Sequence, residues 1–409
     1  MIKRVLSFIV LILVSVAMFV SCTDTSDSIL PEDKPDAVVD TLRTSVLVYM
    51  MAENNLCGWA EKDIEEIYGA AYSVPNDCGL FVFIDDTDLP RLLQYRNKGG
   101  VAVCDTLHFF EEDFCSSDIS SMKLVFSTLL QKVNIYEMNL IMWSHGDGWL
   151  KDRARLGYKR AIGFDNGVNS SSGSYKSEKS IEMDELAGFI ESLPFNVEML
   201  MFDACFMQCI EAVYDLHGSV DYILASPAEI PAPGAPYHKI LPHFFTDSLS
   251  VEDVMMAYYN YYPSNSGVLL SVVDCRKVQD FADATMPYIA KYFADDSEMY
   301  YDNIFSYLDG GYFYGYYSYP DFFDMNGVMM HTLSADEYTV WKDAFDKMVP
   351  FSCCADKWVS VYSYNGLYNT DKEQFCGVSM YLPRGGSNYE RMNRDFESTA
   401  WYERVGWTR

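Results

Sequence analysis

Two apolar runs each end in a reactive residue: Asn139-Leu-Ile-Met-Trp-Ser-His145-Gly146 and Val197-Glu-Met-Leu-Met-Phe-Asp203-Ala204-Cys205. A thiol and an imidazole are the groups acyl transfer needs. The first is the nucleophile, and the second takes its proton and later returns one to the leaving amine. A thiol at a strand-to-helix junction is expected at the positive end of the following helix, which would lower its pKa towards a thiolate. The glycine after the histidine lets backbone approach a scissile carbonyl. The N–H groups of Gly146 and Cys205 are therefore the candidate oxyanion hole, each donor worth about 3 to 4 kcal/mol. A lone cysteine at a strand end is ordinarily packing, and a lone histidine is ordinarily a satisfied side chain. Two such residues, each closing an apolar strand and separated by the length of a crossover, argue together for a catalytic dyad.

Positioning them requires both strand ends at one sheet edge. Residues 45–51, 79–85, 139–143, 197–203, 220–226 and 267–274 read as buried strands. Between and after them, 59–71, 120–133, 184–192, 206–216, 250–262 and 276–293 read as helices, and Ser334 with Glu337 caps another to residue 349. Residues 91–97 and 101–107, separated by Lys98-Gly99-Gly100, form an edge hairpin, and 359–362 and 377–382 resemble strands. This alternation predicts an α/β fold with a mainly parallel sheet and helices on both faces, whose site lies beyond the carboxyl ends of the strands. Both His145 and Cys205 lie at such ends. Past residue 250 the pattern is less regular, and the Tyr-, Phe- and Gly-rich stretch 300–323 is expected to pack a subdomain on the core.

With 30 basic against 59 acidic residues, a net charge of −29 excludes nucleic acid and anionic membrane surfaces as partners. Residues 1–22 read as a targeting segment: Lys3 and Arg4 precede an apolar run, and Val20-Ser21 lead to Cys22, the pattern of a bacterial lipoprotein signal with Cys22 lipidated. Residues 23–43 are then a polar tether, and the protein is an exported envelope lipoprotein, periplasmic or on the cell surface, touching membrane only through its lipid. No later apolar run reaches about 18 residues. Ten cysteines follow Cys22 without CxxC pairs, so neither a zinc site nor a tight disulfide scaffold is expected. His238 and His243 lack a completing ligand and are interrupted by Pro242, so no metal is assigned there. The absence of HExxH, GxSxG, GxGxxG and GxxxxGK[ST] removes the commonest zinc-protease, serine-hydrolase and nucleotide-binding readings.

Four stretches make the chain similar to the clostripain family of cysteine peptidases. They are Val46 to Leu56, His145-Gly-Asp-Gly-Trp149, Asp203-Ala-Cys-Phe-Met207 with Glu211 beyond it, and Gly377-Val-Ser-Met-Tyr-Leu-Pro383. The resemblance implies a caspase-like three-layer α/β sandwich, here a catalytic domain over 44–250 with a C-terminal α/β extension or subdomain over 251–409. It further implies a His145 and Cys205 dyad and cleavage of peptide or protein substrates after Arg or Lys. Asp203 matches the acid that lines the family's specificity pocket; on residues alone it serves equally as a hydrogen-bond acceptor holding the turn. Ser226 and Glu229 fall in what resembles the substrate loop, although Pro227-Ala228-Glu229 stands where adjacent acids are usual.

Family members are activated by cutting between the His and Cys strands, and 151–180 holds seven bases there: Lys151, Arg153, Arg155, Lys159, Arg160, Lys176 and Lys179. No cofactor is required, and calcium, used in the family, stays optional because no calcium-loop motif is present. The oligomeric state is left open. The alternative reading is a non-enzymatic surface lipoprotein that binds peptide or glycan on the same fold.

Overall fold

The computed structural model describes residues 41–150, 161–165, 180–293, 303–308, 312–313, 316–317, 322–361, 363, 365–386 and 389–407. The signal with Cys22, the tether up to residue 40 and all seven candidate processing bases lie outside them; the last residues assigned to the tether do not hang free, since Thr41–Leu42 pairs with Asn134–Ile135.

Nine strands make one sheet: β1 (Thr44–Met51), β2 (Cys78–Asp85), β3 (Arg91–Lys98), β4 (Val101–Phe109), β5 (Glu137–Trp143), β6 (Asn196–Asp203), β7 (Tyr222–Ala225), β8 (Leu269–Asp274) and β9 (Phe351–Cys354). Their order is β9-β8-β7-β6-β5-β1-β2-β3-β4. The five central strands, β7, β6, β5, β1 and β2, are parallel, and antiparallel pairs close both edges. The central parallel strands read as unbroken apolar runs because both faces are covered. Within β1, Val46, Val48 and Met50 enter one apolar layer, while Leu47, Tyr49 and Met51 enter the other. The β3–β4 hairpin is half-exposed, as its mixed polarity demands.

Helices cover both faces. Against the first layer pack α1 (Cys57–Ala70), α5 (Tyr237–Phe244) and α6 (Val251–Tyr259). Against the second pack α2 (Ile119–Leu130), α3 (Met183–Glu191), α4 (Ile210–Leu216), α7 (Val278–Tyr292), α8 (Met325–Thr332), α9 (Ala335–Met348), α10 (Glu390–Glu397) and α11 (Ala400–Arg404). The capping box expected at Ser334 and Glu337 opens α9, a motif worth about 1 kcal/mol. Strands β8 and β9, from beyond residue 250, extend the same sheet.

Three local expectations change. The helix expected from 206 begins only at Ile210, because Phe206 has φ +61°, a left-handed conformation no helix accommodates. The strand expected from 359 is instead Lys357–Val359, which forms a small hairpin with Leu367–Asn369. Only Ser379–Met380 of 377–382 pairs, with Phe323–Asp324. From the aromatic stretch, Tyr307, Leu308, Phe322 and Phe323 are buried in the core, as expected of packing residues. All ten cysteines from Cys57 onward are free thiols.

Register decides where the reactive residues fall. Trp143 of β5 lies opposite Asp203 of β6, Met50 of β1 opposite Trp143, and Met51 opposite Asp85 of β2. His145 and Cys205, each two residues past a paired strand end, therefore emerge side by side at the carboxyl edge. The loop after β1 emerges beside them.

Candidate active site

Gly146 is the hinge of the site. A Cβ built on it would meet the Cys205 carbonyl oxygen at 2.8 Å, Met207 Sδ at 2.8 Å and Ala204 Cβ at 3.1 Å, so the histidine loop lies directly on the cysteine loop. Gly146 pairs with Ile162 in an antiparallel bridge whose hydrogen bonds belong to the neighbours: Asp147 N–H donates to Ala161 O and Gly163 N–H to His145 O, each at 3.1 Å. In such a non-hydrogen-bonded position the residue's own N–H points out of the ladder. Among the described residues, neither the Gly146 nor the Cys205 N–H is bonded to a backbone carbonyl.

The half-buried His145 ring is held from the loop after β1. Nε2 lies 2.9 Å from Asn55 Oδ1, and the ring meets Phe164 edge-on at 6.0 Å. Asn54 stiffens that loop: its Nδ2 donates to Met51 O and Phe164 O, and its Oδ1 accepts the Leu56 N–H. Ser144 donates to Met51 O and accepts from Phe164 N. An Nε2–H donated to Asn55 makes Nδ1 the basic nitrogen of the neutral ring. In the sequence Asn54 and Asn55 stood only as part of the Val46 to Leu56 stretch that carries the resemblance, without a role; nothing in their spacing tied them to a histidine 90 positions on. Asn55→Ala should lower kcat/KM by about 10- to 100-fold with little change in KM, by letting the ring swing out of line. Asn55→Asp should instead restore activity and move the histidine limb of the pH–rate profile upward. A profile and rate unchanged in both variants would remove Asn55 from the site.

Cys205 is half-buried, and its Sγ accepts the Ile230 N–H at 3.4 Å. The expected helix-end activation is corrected here. Because α4 starts at Ile210, with Cys209 as its N-cap, the thiol is not at a helix terminus. Burial, with the Glu229 charge adding to it, pushes the thiol pKa up rather than down. Forming the thiolate therefore falls to the imidazole. The turn after it is locked: Phe206 N–H donates to Ala228 O and Gln208 N–H to Ser226 O, each at 3.0 Å, while the Phe206 ring stacks on Phe322. Gly148, at φ +65°, fits beneath, where a Cβ would lie 2.8 Å from Phe206 O.

The loop from Ser226 to Ala235 forms the other wall. Ser226 is fully buried, its hydroxyl donating to Ala228 O and accepting from Ala228 N. Glu229 is 8% exposed and accepts from Val361 N at 3.2 Å. Asp203 is sealed beneath this loop, accepting from Ala235 N, Tyr237 Oη and Tyr258 Oη. Burial raises its pKa to about 6 against those hydrogen bonds.

Asp203 is one of several buried carboxyls whose proton affinity folding raises. Burial lifts Asp63, which accepts from Trp143 Nε1, to about 9, and Glu211, which accepts from Tyr381 N, to about 8. Each native pKa lies above its unfolded value, so the native state holds more protons, and stability must fall as pH rises through these values. Glu337, lowered to about 2 by Lys291, is ionised in both states above pH 5 and leaves that slope unchanged. Calorimetry in metal-free buffer should show the unfolding midpoint falling from about pH 5.5 to 8.5. A midpoint that climbs over that range contradicts this account.

The profile of the clostripain family matches residues 48–409. Among solved structures, a secreted C11 cysteine protease from Bacteroides thetaiotaomicron in complex with an irreversible peptide inhibitor is similar at 26% identity, covering 89% of this chain and 99% of that one with a TM-score of 0.75. An inactive zymogen C11 protease from Parabacteroides distasonis (22% identity, 90% and 99% covered, TM-score 0.71) shares the fold. So does another secreted C11 cysteine protease from Bacteroides thetaiotaomicron (18%, 89% and 99%, TM-score 0.73). No curated protein matches the sequence. The fold is thus the caspase-like α/β sandwich, and a polypeptide that carries it with a histidine loop seated on a cysteine loop belongs to the clostripain family of cysteine endopeptidases.

Proposed function

We propose that the protein is an exported endopeptidase that forms a thioester at Cys205, with His145 taking the thiol proton and returning it to the leaving amine. The Gly146 and Cys205 N–H groups then receive the oxyanion. What supports this reading above all is the shared register of β5 and β6, which brings the two loops out at one level with those two N–H groups uncommitted to backbone carbonyls.

Cleavage after Arg or Lys follows from Glu229, whose buried carboxylate acts electrostatically on the Cys205 sulfur. Asp203 serves this preference indirectly: its carboxylate is engaged by three donors, and it anchors the loop that carries Glu229 and Ser226. Activation by a cut within 151–180 fits the way that segment is tied: Leu150 and Ala161 are buried beside the Gly146 bridge, and Ile181 is bridged to Ile162. Export rests on the reading of residues 1–22, with Cys22 as the lipid anchor; among the described residues no helix is long and apolar enough to cross a membrane.

The test is a panel of fluorogenic peptides ending in Arg, Lys, Asp or Asn, assayed on the chain after nicking of 151–180. Turnover of the Arg and Lys peptides is expected, with Glu229→Gln losing about 100-fold in kcat/KM on them while an uncharged peptide changes little. Equal losses on all peptides would reduce Glu229 to a structural residue. Intact mass of the parent chain beside Cys205→Ala decides self-cleavage: fragments only in the parent support it, and an uncut parent removes it.

A further inference from the structure

A third wall of the cleft comes from the far end of the chain. The hairpin of Lys357–Val359 with Leu367–Asn369 is fastened at the carboxyl edge: β8 runs antiparallel to β7, so its approach from Gly267 lies beyond Ala225, and there Gly267 bridges to Trp358. Gly267 N–H donates to Lys357 O at 2.9 Å, and Lys357 N–H to Ser264 O at 3.1 Å. Trp358 is buried, its ring 5.8 Å from Phe305 and 5.5 Å from Tyr368. The turn is tied as firmly, with Ser360 N–H donating to Gly366 O, Gly366 N–H to Ser363 O and the Ser363 hydroxyl to Leu367 O. From this base Val361 reaches the substrate loop: its N–H donates to Glu229 Oε1 at 3.2 Å, across 132 residues. Its side chain is 59% exposed, an apolar group left in the open beside a buried carboxylate.

We infer that Val361 determines specificity in this cleft: its N–H orients the Glu229 carboxylate, and its side chain covers the aliphatic stem of the basic residue before the scissile bond. Arginine and lysine are amphipathic, a run of methylenes ending in a charged head, and apolar cover for the stem helps only while the head keeps a partner. A carboxylate next to an exposed branched side chain answers both ends. A backbone N–H fixes where that carboxylate points without neutralising it, as a lysine in the same place would. The bond is also close to the chemistry. Ile230, the residue after Glu229, donates to Cys205 Sγ at 3.4 Å, and the Glu229 charge itself acts on that sulfur.

An isolated exposed valine is ordinary on a protein surface. This one is set apart by the bond its own N–H makes with the acid beside the nucleophile. The inference rests on the peptidase reading and on Glu229 as the acceptor of the substrate cation.

The experiment measures kcat/KM of the nicked chain on peptides ending in Lys, Arg and norleucine, the uncharged counterpart of lysine, and the affinity of the same peptides for the Cys205→Ala chain. Val361→Lys sets an ammonium beside Glu229 and should cost the Lys and Arg peptides at least about tenfold in both measurements, while norleucine changes by less than about twofold. Val361→Ala keeps the N–H and trims the wall, so the Lys and norleucine peptides should fall together by about three- to tenfold. Val361→Pro removes the N–H and should shrink the Lys-to-norleucine ratio by about tenfold. Should the proline lower the unfolding midpoint, Val361→Lys carries the test, since its side chain enters an exposed position. A Lys-to-norleucine ratio in Val361→Lys equal to that of the parent overturns the assignment, as does an equal loss on all peptides. A parent with no preference for basic peptides removes both Val361 and Glu229 from specificity. Selective binding of the Lys peptide that Val361→Lys abolishes, in a chain whose parent hydrolyses nothing, would sustain the wall and count against the peptidase reading alone; hydrolysis of Lys and Arg peptides undisturbed by Val361→Lys would do the reverse.

Discussion

Cys205→Ala should abolish peptide hydrolysis, lowering kcat on the best substrate by on the order of 10⁴-fold or more, while the unfolding midpoint stays within a few degrees of the parent. The asymmetry follows from what the sulfur does. In the folded chain Sγ accepts one long bond from Ile230 N, so its removal costs the fold little. In the reaction it is the only atom that forms the acyl bond, and nothing else in the cleft replaces it. His145→Ala should fall to a similar floor, because a thiol held protonated by burial and by Glu229 needs the imidazole to become a nucleophile. The double variant should then be no worse than either single one, since the two residues act as a unit. Turnover above about 1% of the parent in Cys205→Ala, with contaminating protease excluded by inhibitor, would break the assignment.

Gly146→Ala should lower kcat/KM by about 10²- to 10³-fold and lower the midpoint by several degrees, although it adds only one methyl group. The residue is not a glycine for its dihedral angles, since Gly146 is absent from the positions with positive φ, whereas Gly148, at +65°, is among them. The reason is contact. An added Cβ would stand 2.8 Å from the Cys205 carbonyl oxygen, a backbone atom that cannot swing aside as the Met207 sulfur can. Relief comes only by moving the histidine loop and the cysteine loop apart, which separates base from nucleophile and both from the two N–H donors. Determining kcat and KM separately checks the cause: the loss should lie in kcat, because the displaced groups act on the transition state. A variant as active as the parent would mean that the two loops do not share the oxyanion.

The large elements and the dyad were written in local residue patterns. Strands such as 45–51 and 197–203 are apolar on both faces because a central parallel strand is covered on both, and that burial leaves a mark in consecutive residues. The Ser334 and Glu337 box, the edge hairpin at Gly99 and Gly100, and the placing of His145 and Cys205 at strand ends are local in the same sense. What the tertiary structure alone decided depends on atoms far apart in the chain. Phe206 is held out of the helical region by its N–H bond to Ala228 O and by stacking on Phe322, so the helix dipole expected at the thiol is not there. Asp203 is closed off by tyrosines 34 and 55 residues away, and Asn55 reaches His145 across 90. Asp85, read from the sequence as the last residue of a strand, came to lie beside the carboxylates of Glu53 and Asp113 only when β1 and β2 were set in register and the loops after β1 and before α2 converged on their ends. Periodicity records which face a residue buries, whereas the partner it meets there is fixed by folding.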